Sequence, residues 1–147
     1  MPTFQFASLK PMVVIALGLA MVAALVAADL PYTGKWKAQK GSAGPAKEIE
    51  FVANGTDGLT VKIISSNAVC DAKFDGADYP ATGPQVPDGY TLSIKKAGPR
   101  AFEMVQKLKG KALYTSVFSV SEDGKILTET DSENSTGERV KILYDRE

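Results

Sequence analysis

The sequence predicts an all-β, antiparallel fold. Three observations carry that expectation: short segments alternate apolar and polar residues with a period of two, turn signals recur at spacings near ten residues, and the pair Asp-Gly occurs four times. Asp tolerates left-handed backbone and Gly reaches positive φ without steric penalty, which is what tight hairpins demand. A meander of 9–10 strands, built as a barrel or a sandwich, satisfies all three.

The first strand is expected over 34–39, between Gly34 and Gly41, and it holds the only tryptophan, Trp36. The second, 46–53, sets Ile49 and Phe51 against Glu48 and Glu50. The third, 59–65, sets Leu59, Val61 and Ile63 against Thr60 and Lys62. In the fourth, 68–74, Cys70 is in phase with Ala68, Ala72 and Phe74 and opposite Asp71 and Lys73. A short strand over 77–82 follows Asp75-Gly76, and 90–96 places Tyr90, Leu92 and Ile94 on one face.

Residues 100–109 admit two periods. Phe102, Val105 and Leu108 share a helical face, whereas Phe102, Met104, Gln106 and Leu108 alternate as in a strand. A strand over 101–108 is preferred, because Lys109-Gly110 then turns it into the next, 111–121. The last two strands are 126–132 and 139–146, the latter with Val140, Ile142 and Tyr144 opposed to Lys141 and Asp145.

The front of the chain is of another kind. Residues 1–11 carry one charge, Lys10, and Met12–Ala28 carries none. A basic start, an apolar run and small residues at its end describe a secretory signal peptide. Val26 and Ala28 suit the −3 and −1 positions, so cleavage is expected after Ala28, leaving 29–147 as one β domain in the periplasm or outside the cell. The competing reading is a retained anchor, for which this run is at the short limit of a bilayer core ~30 Å thick. The alanine-rich end and the lack of basic residues directly after it favour cleavage, and no cysteine follows to carry a lipid.

The 147-residue chain has 17 basic and 17 acidic residues, and losing residues 1–28 removes only Lys10 from that balance. A near-neutral chain with interspersed signs lacks the positive field that nucleic acids or anionic membranes require. With one cysteine, no intramolecular disulfide is possible. Cys70 is expected to be a buried filler, the other use being an intermolecular disulfide in an oxidising compartment. The absence of histidine removes the commonest neutral-pH base and the commonest metal ligand.

The segment TGKWK resembles the Gly-x-Trp signature of lipocalins and related calycin barrels. The resemblance implies that Gly34 lets the chain cross a barrel's closed end, that Trp36 plugs it, and that Arg146 on the last strand packs over the indole. Such a contact contributes ~0.5–2 kcal/mol. TGKWK, FDGADYPATG (74–83), SVSEDGKILTET (119–130) and the terminal YDRE are also similar to a lipocalin-like group of small exported bacterial proteins of the acidobacterial type. That likeness implies a lipocalin-like barrel, closed or partly open, and export, but no reaction. The second lipocalin motif, Thr-Asp-Tyr, has no counterpart: Asp78-Tyr79 lacks the preceding Thr.

Little in the sequence points to catalysis. Without histidine, Ser-His-Asp and Cys-His arrangements are impossible. Glu129 and Asp131 share a strand face, but a solvated outer face is expected for them, with Thr128, Thr130 and Ser132 inward. DSENSTGE lacks the spacing of a calcium loop. No catalytic residue, metal ligand or cofactor is assigned. The remaining lead is a candidate pocket lining of Phe51, Tyr79, Tyr90, Phe102, Met104, Phe118 and Tyr144 for a small apolar or amphipathic molecule. The rival is a filled core in a structural or protein-interaction domain of the cell envelope. A cavity of ~300 Å³ or more among these side chains favours the first, and a filled barrel with an exposed apolar patch favours the second.

Overall fold

The computed structural model describes residues 30–42 and 48–147. The expected signal peptide and the first two residues of the expected second strand lie outside them. Among the described residues the chain forms ten strands and one 3-10 turn, Ile64–Ser66. The strands are β1 (Gly34–Ala38), β2 (Glu48–Asn54), β3 (Gly58–Ile63), β4 (Ala68–Lys73), β5 (Tyr79–Pro80), β6 (Tyr90–Gly98), β7 (Ala101–Leu108), β8 (Lys111–Val120), β9 (Ile126–Glu133) and β10 (Arg139–Arg146). No helix among these residues is long and apolar enough to cross a membrane.

The strands form one antiparallel sheet in the order β4-β3-β2-β1-β10-β9-β8-β7-β6-β5. Each strand pairs with its sequence neighbours except across β4–β5, and β1 also pairs with β10, Trp36 opposite Arg146 and Ala38 opposite Tyr144. The first and last strands thus join the two halves of the meander. The remaining seam, between β4 and β5–β6, is only partly bonded. Val69 and Thr82 exchange N–H···O bonds of 2.8 Å, and the Cys70 thiol lies 3.6 Å from the Tyr79 carbonyl oxygen. The result is a nearly closed barrel, and the sandwich alternative falls away.

Residues 101–108 are a strand. Phe102 and Met104 point inward and are almost wholly buried. Pairing with both β6 and β8 uses the backbone groups of all three strands, whereas a helix would leave two sheet edges open. The turn into β8 has Lys109 at φ 49° and Gly110 at φ 81°, two successive positive values as a type I′ hairpin requires. β5 is shorter than the expected 77–82. Asp75 accepts hydrogen bonds from the Ala77 amide and the Tyr79 hydroxyl, which holds a local turn, and Pro80 has no N–H to extend the ladder.

The register distinguishes two barrel ends. Gly34, Lys73, Gly98, Ala101, Ile126 and Arg146 mark one, and Ala38, Ile63, Tyr90, Leu108, Lys111 and Arg139 the other. Between them lies an aromatic core. Phe102 stacks on Phe118 at 4.9 Å, and Phe51 meets both rings edge-on at 5.1 and 5.2 Å. Tyr32, from the segment before β1, closes on Phe102 at 4.7 Å. Such edge-to-face and offset pairs stabilise by roughly 0.5–1.5 kcal/mol each beyond their burial.

Candidate functional site: the cavity opposite Trp36

At the end marked by Gly34, Trp36 is fully buried and its indole N–H donates to the Tyr32 carbonyl oxygen at 2.9 Å. The Arg146 guanidinium lies 4.1 Å from the indole ring centre. It also donates to the carbonyl oxygens of Gly124, Thr33 and Pro31 at 2.6–2.7 Å. One side chain thus ties the incoming chain, the β9 entry turn and the tryptophan together. Gly34 has φ 122°, and a Cβ there would sit 2.8 Å from an Arg146 nitrogen. The backbone conformation therefore favours glycine, and a side chain there would also displace the Arg146 guanidinium.

The opposite half of the barrel is not filled. A cavity of about 220 Å³ lies beneath the Ile64–Ser66 turn. Its apolar wall comes from Ile49, Ile63, Met104 and Phe118, the last being shared with the aromatic core. Its polar lining comes from Ser65, Ser66, Tyr90, Gln106, Glu129 and Asp131. Of the seven expected lining residues, the structure brings Tyr90, Met104 and Phe118 to this cavity. Phe51 and Phe102 are packed in the core below. Tyr79 lies at the seam with its hydroxyl on Asp75, and Tyr144 is buried with its hydroxyl on Glu129.

Glu129 and Asp131 correct the outer-face expectation. Glu129 is 7% exposed and both carboxylates line the cavity. The reason is register. Glu129 stands between Phe118 of β8 and Ile142 of β10, both inward, and Asp131 between Ser116 and Val140. Leu127, fully buried, has the same parity as both acids and is the signal in the sequence that could have revealed their direction. The threonines beside them offered a plausible inner face only because they are small and polar.

Each carboxylate is hydrogen-bonded. The Tyr144 hydroxyl donates to Glu129 at 2.6 Å, the Ser116 hydroxyl donates to Asp131 at 2.8 Å, and the Tyr90 hydroxyl donates to the Gln106 side-chain carbonyl. Burial pushes the Glu129 carboxyl up to about 6. The Tyr144 hydrogen bond opposes that rise, the Asp131 charge adds to it, and Ser116 opposes it weakly. Burial, then the Glu129 charge and hydrogen bond, raise the Tyr144 phenol far above its ordinary value, so it remains a proton donor to Glu129. Among the described residues no Lys or Arg lines the cavity, and neither acid takes part in an ion pair.

Comparison with protein-family models, curated proteins and solved structures found no match to this chain.

The arrangement can accept hydrogen bonds, take up a proton near neutral pH, or face a cation. Among the described residues no cluster of three or more Cys, Asp or Glu is placed to hold a metal ion. Cys70 is buried at the seam, where burial pushes its thiol up to about 11, which suits a filler and opposes a reactive thiolate.

Proposed function

We propose that this is an exported, non-enzymatic, lipocalin-like barrel that binds a small amphipathic molecule in the cavity opposite Trp36. The observation that carries the binding role is the unfilled interior itself: a space with an apolar wall and convergent polar groups, set in a barrel whose other half is packed. The buried Trp36, with Gly34 and Arg146 against it, supports the lipocalin-like relationship. Export rests on the character of residues 1–28.

The cavity limits ligand size. At ~30 Å³ per water, about 220 Å³ has room for roughly seven waters, hence a small ligand of a single ring or a short chain. Long-chain fatty acids, retinoids and porphyrins are too large. The structural rival, a partner-binding domain without a ligand, draws support from the packed aromatic half and a cavity smaller than ~300 Å³. Against it, the most exposed large apolar side chains among the described residues, Val52, Ile64 and Tyr114 included, are each only 37–39% exposed.

Native mass spectrometry of protein purified from its own host tests the proposal. A retained molecule of low mass, displaced on denaturation, is the expected outcome. A ligand-free protein that also gives no amide shifts at Tyr90, Met104 or Phe118 with small amphiphiles would favour the rival. The same spectra read the N-terminus, expected at Asp29.

A further inference from the structure

We propose that the cavity selects an organic cation: a primary or secondary ammonium carried on a short apolar or aromatic body. This rests on the cavity's being a binding site and specifies what it takes. The polar side is acidic without compensation. Glu129 and Asp131 both line it, and among the described residues no cationic side chain does. Glu129 is buried, and its bonded hydroxyl donor is neutral, so among the described residues its charge has no counter-charge.

A buried carboxylate without a cation carries a desolvation cost, which an ammonium in the cavity would offset. A carboxylate ligand would instead bring a third negative charge into the same space. The remaining polar groups suit an ammonium too. Ser65, Ser66 and Gln106 offer oxygen acceptors, and an ammonium is a donor of three hydrogen bonds with nothing to accept. Ile49, Ile63, Met104 and Phe118 face the other side and can hold a hydrocarbon or ring, including through sulfur–aromatic contact.

Protonation gives the selection a pH dependence. The titratable groups that face the ligand space are Glu129 and Asp131 on β9 and Tyr90 on β6, with Tyr144 of β10 behind Glu129. Tyr90 and Tyr144 are both raised above their ordinary values and remain neutral. Glu129 is the group that changes charge between pH 5 and 7.5, with its carboxyl at about 6. Ammonium affinity therefore rises with pH across that interval.

Three probes of matched shape test this: 2-phenylethylammonium, 2-phenylethanol and phenylacetate, titrated into the purified protein and followed by amide chemical shifts. Near pH 7.5 the ammonium is expected to bind at least about tenfold more tightly than the alcohol, and the carboxylate more weakly than either. The ammonium's advantage should shrink near pH 5. It should fall to about threefold or less in Glu129→Gln, while alcohol binding persists. Asp131→Asn, on the same wall, should reduce it in the same sense and serves if the first variant folds poorly. Alcohol or carboxylate binding as tight as the ammonium overturns the cation assignment and leaves the cavity as a binding site. No shift at the cavity residues with any of the three overturns the binding role, and the cation assignment with it.

Discussion

Trp36 and Arg146 make separable contributions. Trp36→Ala empties a fully buried aromatic site, and such truncations cost about 3–5 kcal/mol. Arg146→Ala removes a cation from the indole face and three donated hydrogen bonds, but its side chain is exposed and water can replace part of what is lost. Its cost should be smaller, about 1–3 kcal/mol. Urea unfolding followed by far-ultraviolet circular dichroism, which both variants retain, tests the order, and the emission of the single tryptophan in the wild type tests the site. Native emission should be blue and move red on unfolding. Red native emission, or Arg146→Ala costing more than Trp36→Ala, would contradict this account. Gly34 is legible as part of the motif, but its reason is not. That a Cβ would meet Arg146 depends on a residue more than a hundred positions away.

Among the strands, the partly bonded seam is the place where stability should be lowest. β5 pairs with β6 through only two residue pairs, and β4 reaches across through the single Val69–Thr82 bridge. β7, by contrast, has ladders on both sides along nearly its full length. Amide exchange should therefore be fastest, among strand amides, at Tyr79 and on the seam side of β4, and slowest at inward positions of β7 and β8. Uniform protection around the barrel would mean that the seam is as firmly closed as the other joints. β7 and β9 show what alternation can decide. In β7, Phe102 and Met104 define the inner face unambiguously. In β9 the inner set is Leu127, Glu129 and Asp131, and two of the three are acids. Polarity pointed outward there, and the neighbouring strands pointed it inward.

The barrel's stability should depend on pH through Glu129. Its carboxyl is at about 6 in the folded chain against an ordinary 4.5. Between these values the folded protein holds more protons than the unfolded chain, so stability falls as pH rises through that window. The drop is about 2 kcal/mol and is complete somewhat above pH 6. Asp75 and Asp123 act in the opposite sense at lower pH. The Ala77 amide holds Asp75, and the Ser121 hydroxyl holds Asp123, below the ordinary 3.8, so their contribution is lost on further acidification. Thermal melts should show greatest stability near pH 4.5 and a decline toward 7. Glu129→Gln keeps an acceptor for Tyr144 without the charge and should abolish that decline. A wild-type profile flat from pH 4.5 to 7 would show that Glu129 is better solvated than its burial indicates.

Period-two alternation and Asp-Gly turns were enough to specify nine or ten short antiparallel strands, because side-chain direction in a strand and backbone sign in a tight turn are local properties. The same logic placed Phe102 and Ile142 on inward faces and Cys70 at a buried position. Which half of the interior is packed was not local. Phe102 and Phe118 are cross-strand partners in the β7–β8 hairpin, but Phe51 comes from distant β2, and the β1–β10 closure joins its half of the meander to theirs. The cavity's acidic side was hidden for the same reason. A strand's hydrogen-bond register ties each residue's direction to its cross-strand partners, and for Glu129 those partners, Phe118 and Ile142, outweigh the preference of a carboxylate for water.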